Sequence, residues 1–221
     1  HEDCRRQRQM CIRDRCMLVP DFAIEALCTD LCQINLDGVI INNHQQPMIE
    51  PFISKSINTN DKGQRIPSYG LSSFGYDIRL APEFKLFSKP NDGRIIDIMN
   101  FDEREFVEEV KADSVILPPG GLLLSRTVEY FHIPDNVMAT CSNKSTWARL
   151  GMFSLITPLE AGWEGHLVVE ITNCTNLPMR IYAGVGIAQI EFKASKQRPN
   201  VTYGDRGGKY QGQTGITGSK L

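Results

Sequence analysis

The sequence predicts a mainly β protein, a barrel or sandwich of short strands behind one short helix. Three observations carry that expectation. From Ile49 onward, short apolar runs alternate with Gly, Pro, Asn and Asp, the pattern of many strands separated by turns. Residues 166–173 alternate with period two: Leu167, Val169 and Ile171 face one way, His166, Val168, Glu170 and Thr172 the other. Helical periodicity is read near the N-terminus, where Ile24, Leu27, Cys28 and Leu31 recur at i, i+3, i+4 and i+7.

In chain order, residues 1–16 hold five arginines, no apolar periodicity and no apolar stretch suited to a secretory signal. Their MCIRDR run resembles translated sequencing adaptor, and the segment is set outside the folded unit, which is expected to be a single domain over 17–221. Asp21 is expected to cap the helix. Residues 33–47 are polar around Val39-Ile40-Ile41 and read as a hairpin or a long loop. Strands are expected at 114–117, 122–128, 137–141, 167–172 and 185–192, the first two separated by Pro118-Pro119-Gly120-Gly121. The end, about 204–221, is too rich in glycine to pack a core and reads as a mobile arm.

Composition narrows the function. A chain of 221 residues can bury a core without staples, and 41% apolar with 23% charged residues is ordinary for a globular protein. With 24 Lys and Arg against 26 Asp and Glu the net charge is −2, which argues against general nucleic-acid or membrane-surface binding. No apolar run is long enough to span a bilayer. Seven irregularly spaced cysteines without a CxxC pair argue against a disulfide framework and a structural zinc, and favour a reducing, cytoplasmic setting. Cys28 and Cys32 are read as buried or idle thiols.

Four constellations could carry chemistry. Asn143–Gly151 offers free N–H groups, the hydroxyls of Ser145 and Thr146, and Lys144, the parts of a phosphate site; Arg149 shares a helical face with Ser145. An ordinary capped helix with solvated Lys and Arg is the alternative. The turn-rich 157–166 loop feeds a strand in which Glu170 sits among β-branched residues. Burial would raise its pKa and suit it to general-base work; a salt-bridged structural Glu is the alternative. Residues 203–215 mix glycine with Lys, Arg, Gln and Tyr, as in a flap over a nucleotide or a disordered tail. Asp77 and Arg79 fall on one face of a strand and read as a buried ion pair.

Together and in this order these pieces resemble the dCTP deaminase branch of the dUTPase-like superfamily, from about Met17 to the end. The most specific stretches are KSTWARLG (144–151), TPLEAGWEGH (157–166) with VVE (168–170), GIAQ (186–189) and GKYQGQTG (208–215); YGLSSFGYDIR (69–79) and RTVEYFHIP (126–134) support them. The resemblance implies a homotrimer of distorted β-barrels with a flexible C-terminal lid and active sites shared between subunits. It implies hydrolysis of the 4-amino group of dCTP to dUTP and ammonia, feeding dUMP and dTTP synthesis. Magnesium would accompany the triphosphate, with no zinc. Glu170 matches the general acid/base, and Ser145 and Arg149 match the groups that position water and stabilise charge. Lys144, Ser145, Thr146 and Arg149 would hold phosphates, with Trp147 and Ala148 in the same binding segment. Backbone at Val168 and Val169 would read the pyrimidine edge, and Gln189, Tyr203, Lys209 and Gln213 match further nucleotide contacts.

The zinc-deaminase signature HxE with PCxxC is missing, so His1, His44, His132 and His166 are read as non-ligands. Departures from the family pattern are Asn143 for a usual Gly, Trp147 for a smaller residue, Ala161 for a usual Pro, an apparent insertion at 33–47, and Thr217-Gly218-Ser219 lacking a Leu-Pro. A dUTPase would place Asp and Tyr where this chain has Glu160 and Trp163, and a Phe where the tail has Lys209-Tyr210-Gln211. A bifunctional deaminase/dUTPase and a catalytically silent nucleotide-binding trimer are the other readings; retention of Ser145, Arg149 and Glu170 argues against the last.

Overall fold

The first elements among the described residues are a two-residue strand, β1 (Met17–Leu18), and a nine-residue helix, α1 (Asp21–Thr29). The helix buries Ala23, Ile24, Leu27 and Cys28, the stripe expected from the periodicity. Its cap differs from the expectation. Pro20 holds the N-cap position, and Asp21 is the first helical residue, its N–H bonded to the Ser73 carbonyl (3.0 Å) and its carboxylate to the Phe22 N–H (2.8 Å). This computed structural model describes residues 16–30, 33–43, 46–87 and 93–220. Leu31, Cys32, His44 and residues 1–15, including His1, therefore lie outside the described residues.

The 33–47 stretch contains a hairpin of β2 (Ile34–Leu36) and β3 (Val39–Ile41). Asp37 and Gly38 turn it with φ of 47° and 84°, the positive values that a two-residue hairpin turn needs. Leu36, Val39 and Ile41 are buried, and the Asn43 side chain donates to the Leu27 carbonyl (2.8 Å), tying the hairpin's exit to α1.

The remaining strands are β4 (Ile49–Glu50), β5 (Ile57–Thr59), β6 (Arg65–Ser72), β7 (Gly75–Phe87), β8 (Val107–Lys111), β9 (Ser114–Leu117), β10 (Leu122–His132), β11 (Val137–Asn143), β12 (Met152–Leu155), β13 (Glu164–Asn173), β14 (Met179–Tyr182) and β15 (Gly186–Ala194). Eleven strands join one antiparallel sheet whose main path is β1-β15-β7-β10-β13-β12. β9 and β14 form a separate pair. The long β7 pairs in turn with β6, β15, β10 and β8, so the sheet curls into a half-barrel. The mainly β expectation holds.

The inward faces of β7 (Tyr76, Ile78, Leu80, Phe84), β10 (Leu123, Phe131), β13 (Leu167, Val169, Ile171) and β15 (Ile187, Ile190, Phe192) form the core. Each such side chain contributes about 1.5–3 kcal/mol through removal from water. The expected 122–128 strand runs on to His132, past a register break between Arg126 and Tyr130. There the Thr127 hydroxyl donates to the Glu129 carbonyl (2.6 Å) and accepts the Leu167 N–H (2.9 Å), so the break leaves no orphaned backbone group at these positions. Among the described residues no helix is long and apolar enough to cross a membrane.

Candidate active site

Strand β13 carries Glu170, flanked in register by Leu124 of β10 and Leu155 of β12. Its side chain borders a largely apolar cavity of about 1180 Å³, with Leu122, Leu159, Trp163 and Val168 among its walls. Burial among apolar groups pushes the carboxyl up to about 7; a bond from its own backbone N–H opposes the shift without cancelling it. Among the described residues the recorded ion pairs do not include Glu170. The salt-bridged structural alternative is therefore not what the geometry presents.

The glycine-rich tail closes the same cavity. Tyr203, Tyr210 and Gln213 line it. The expected mobile arm is docked on the 161–163 turn and the first residues of β13. The Tyr203 N–H bonds the Ala161 carbonyl, the Gly212 N–H the Glu164 carbonyl and the His166 N–H the Gln213 carbonyl, each at 2.9 Å. The Trp163 indole N–H reaches the Tyr210 carbonyl (3.1 Å) and the Gln213 amide donates to the His166 carbonyl (2.7 Å). Docking requires glycine at 165, where a Cβ would sit 3.1 Å from three Gln213 atoms. Arg206 pairs with Glu160 and lies over the Tyr203 ring (5.1 Å). Lys209 instead bonds the Lys220 carbonyl (3.2 Å) and is not among the cavity's walls.

The 143–151 segment forms as expected. Lys144 is the N-cap of α2 (Ser145–Ala148), the Arg149 N–H bonds the Ser145 carbonyl (3.1 Å), and Gly151 ends the turn at φ +79°. Ser145, Thr146 and Arg149 are exposed. Asn143 needs no left-handed backbone: among the described residues Asp37 alone of the non-glycines has positive φ. Asn143 closes β11 opposite Ala188, and its side-chain oxygen accepts the Ser154 N–H (2.8 Å) and hydroxyl.

Trp147 is a correction to the expected binding segment. It is buried, and its indole N–H donates to the Gly186 carbonyl (2.8 Å). Its side chain is a core strut between α2 and β15. Trp147→Phe strands that carbonyl, and a loss of about 1–3 kcal/mol is expected, read as a lowered thermal midpoint.

The Asp77–Arg79 pair is a second correction. The two residues part company. Asp77 pairs with Lys144 (2.5 Å) and accepts from Gln189 (3.3 Å), while Arg79 pairs across the sheet with Glu129 of β10 (2.7 Å). Glu129 is fully buried, and desolvation holds its carboxyl above the ordinary range despite Arg79. Glu129 lies inside the RTVEYFHIP stretch, where no motif sets it apart. A charged residue within an apolar strand was the available sign.

Within one chain the expected site residues fall into two groups. Glu170, Val168, Tyr203 and Gln213 share the cavity; Val169 is beside them on β13 with its side chain in the core. Residues 144–149 and Gln189 are not among the cavity's walls. His132 and His166 each turn Nδ1 to a backbone carbonyl, of Pro47 (2.9 Å) and Glu129 (3.0 Å). Cys28, buried, and Cys141, half-buried, have thiols pushed up to about 12 by desolvation; Cys16 and Cys174 are exposed. Among the described residues no group of three or more His, Cys, Asp or Glu could hold a metal ion.

Residues 37–195 match the family described as dCTP deaminase-like. The chain belongs to that family. Its curated relatives include the dCTP deaminases of Acinetobacter baylyi, 51% identical, and Herpetosiphon aurantiacus, 53% identical, each over 170 residues that make up 77% of this chain and 89% of the relative. Among solved structures, the 2'-deoxycytidine 5'-triphosphate deaminase of Agrobacterium tumefaciens superposes with a TM-score of 0.52 at 21% identity, over 81% of this chain and 47% of that one. This dCTP deaminase-like chain thus spans just under half the length of that protein, and the likeness is one of fold.

Proposed function

We propose that this protein hydrolyses dCTP to dUTP and ammonia. The observation that carries the reading is Glu170: a carboxyl in an apolar cavity, raised to about 7, on the strand that the dCTP deaminase family match covers. At that pKa the group can take a proton from water near neutral pH and return it. Water adds to C4 as Glu170 takes one of its protons and passes it to ring N3, and the proton left on the C4 hydroxyl returns to Glu170 as the carbonyl forms. The tetrahedral carbon then expels the 4-amino group, protonated by the same carboxylic acid, as ammonia. Backbone at Val168 and Val169 would hold the pyrimidine edge, with Tyr203 and Gln213 of the tail excluding bulk water.

Ser145 and Arg149 would position the water and stabilise the developing charge, and Lys144, Thr146 and Gln189 would complete the nucleotide contacts. Because 144–149 do not line the cavity of Glu170 in their own chain, we assign these groups to a neighbouring copy in a homotrimer. Exposed Leu150, Phe153 and Leu155 beside the end strand β12, with Leu155 opposite Glu170, support a partner at this edge. Magnesium would arrive on the triphosphate, where it would supply charge neutralisation. The reaction belongs in the cytoplasm with the free nucleotide pool, without nucleic-acid or membrane partners and without zinc.

The test is a product assay. With dCTP and magnesium, ammonia and dUTP should form in equal amounts while added dUTP stays intact. Pyrophosphate and dUMP from dCTP would instead establish the bifunctional enzyme, and the same products from dUTP alone a dUTPase. Binding without product would establish a silent trimer. Sedimentation at micromolar protein should report three chains.

A further inference from the structure

The cluster around Asp77 joins β6, β7 and β15 to the N-cap of α2, outside the cavity that holds Glu170. Asp77, on β7, is buried, and its carboxylate divides its two oxygens. Oδ2 takes the Lys144 ammonium (2.5 Å), at the junction of β11 and α2, and the Ser68 hydroxyl of β6 (3.4 Å). Oδ1 takes the side-chain amide of Gln189 on β15 (3.3 Å). Ser68 also accepts from Lys144 (3.2 Å). Its own position is fixed by Gly186, where a Cβ would fall 1.7 Å from the Ser68 carbonyl oxygen, so β15 and β6 meet backbone to backbone.

We infer that Asp77 is a positioning residue for the nucleotide: its carboxylate sets the Lys144 ammonium and the Gln189 amide in the orientation in which they meet the substrate. The inference deepens the deaminase reading and rests on it for the identity of the substrate. An ammonium has three donors. Asp77 and Ser68 occupy two, and among the described residues the third is uncommitted, available to a phosphate oxygen. A carboxylate only accepts, so Gln189 must give Asp77 its Nε2–H and keeps its carbonyl oxygen as an acceptor. Asp77 therefore presents a donor from Lys144 and an acceptor from Gln189. That pair suits a phosphate oxygen beside a hydroxyl or an ordered water.

Gln189 is carried on the central strand β15 and Lys144 on the N-cap of α2, and the long, flexible lysine is anchored before any ligand arrives. Preordering of this kind lowers the entropy lost on binding. It acts on ground state and transition state alike. Its removal should raise KM with little change in kcat. A carboxylate that served only to hold β7, β11 and β15 together would lower stability without that split.

The experiment compares wild type with Asp77→Asn, which keeps the shape and removes the charge. Two readouts are needed: steady-state dCTP deamination, and calorimetric binding of magnesium tripolyphosphate, which is independent of the reaction. Asp77→Asn should raise KM and the tripolyphosphate Kd by about ten-fold or more, with kcat moving less than about three-fold. In a Lys144→Met background it should add nothing to the loss in tripolyphosphate binding. Should Asp77→Asn fail to fold, Ser68→Ala, which removes the other anchor of Lys144, takes its place with a smaller shift in the same direction. Unchanged KM and Kd, losses that track only the folded fraction, or a wild type that does not bind tripolyphosphate would each overturn the inference. If wild type binds tripolyphosphate, the variant does not, and dCTP is untouched, the positioning role stands and the deaminase reading falls.

Discussion

Replacing Glu170 by Gln should lower dCTP turnover by about 10²–10⁴-fold and leave dCTP binding in place. The amide has the shape of the acid and cannot exchange the proton that the reaction moves twice. Ammonia release reports the loss, and calorimetry with dCTP reports the binding. Wild-type-like turnover in this variant would remove Glu170 from the mechanism. The same residue sets a pH dependence. A carboxyl raised from 4.5 to about 7 is the base only above that value, so kcat/KM should climb with pH through a midpoint near 7. Stability moves the other way. Between those two pKa values the native chain holds a proton that the unfolded chain has released, so unfolding free energy falls as pH rises through that window and levels off above it. Glu170→Gln has no such proton. Its thermal midpoint should lose the part of the pH slope that wild type shows between about pH 4.5 and about 7.

Glu129→Ala should cost about 3–5 kcal/mol of folding free energy, a drop of about 6–20 °C in thermal midpoint for a chain of this size. Glu129 binds Arg79 twice, through Oε1 to the guanidinium (2.7 Å) and through Oε2 to the backbone N–H (3.0 Å), and so clamps β10 to β7 inside the curl of the sheet. Arg79 is already only part-satisfied, since its Nη2 is buried without a hydrogen-bond partner. Without Glu129 its charge still has the Tyr69 ring, 4.6 Å from it. The pair as a unit is less valuable than its breakage is costly, because both charges were taken from water. The double variant Arg79→Leu, Glu129→Leu should therefore recover most of the loss. A midpoint within about 2 °C of wild type for Glu129→Ala would show that water reaches Arg79.

What the sequence made legible had local causes. The 114–117 strand stood out because prolines and glycines cut it off at once. Glu170 stood out because a carboxylate interrupts an apolar alternation, and the Asn143–Gly151 turn because its glycine stop is a local device. The partners of Asp77 and Arg79 were not legible, because they are chosen by register between strands far apart in the chain. Asp77 meets Lys144 of β11 and Arg79 meets Glu129 of β10, and no spacing within 69–79 encodes either choice. Trp147 looked like part of a binding segment because its neighbours carry the hydroxyls; only the position of β15 turns its indole inward. The tail reads as a flap in the sequence, but its docked position does not, for a different reason. Its attachment uses mostly main-chain groups, which every residue has, and its glycines signal freedom and close approach equally.

That attachment has a consequence for motion. The amides of Tyr203, Gly212 and His166 and the Trp163 indole N–H all donate across one seam, with the tail on one side and the 161–163 turn and the start of β13 on the other. Such a seam opens as a unit. These four protons should therefore exchange with solvent at one shared rate, faster than the amides of Val169 and Ile171 a few residues along the same strand. The strand that bears Glu170 thus has a fast-breathing end and a slow one, and the cavity is gated from the fast end.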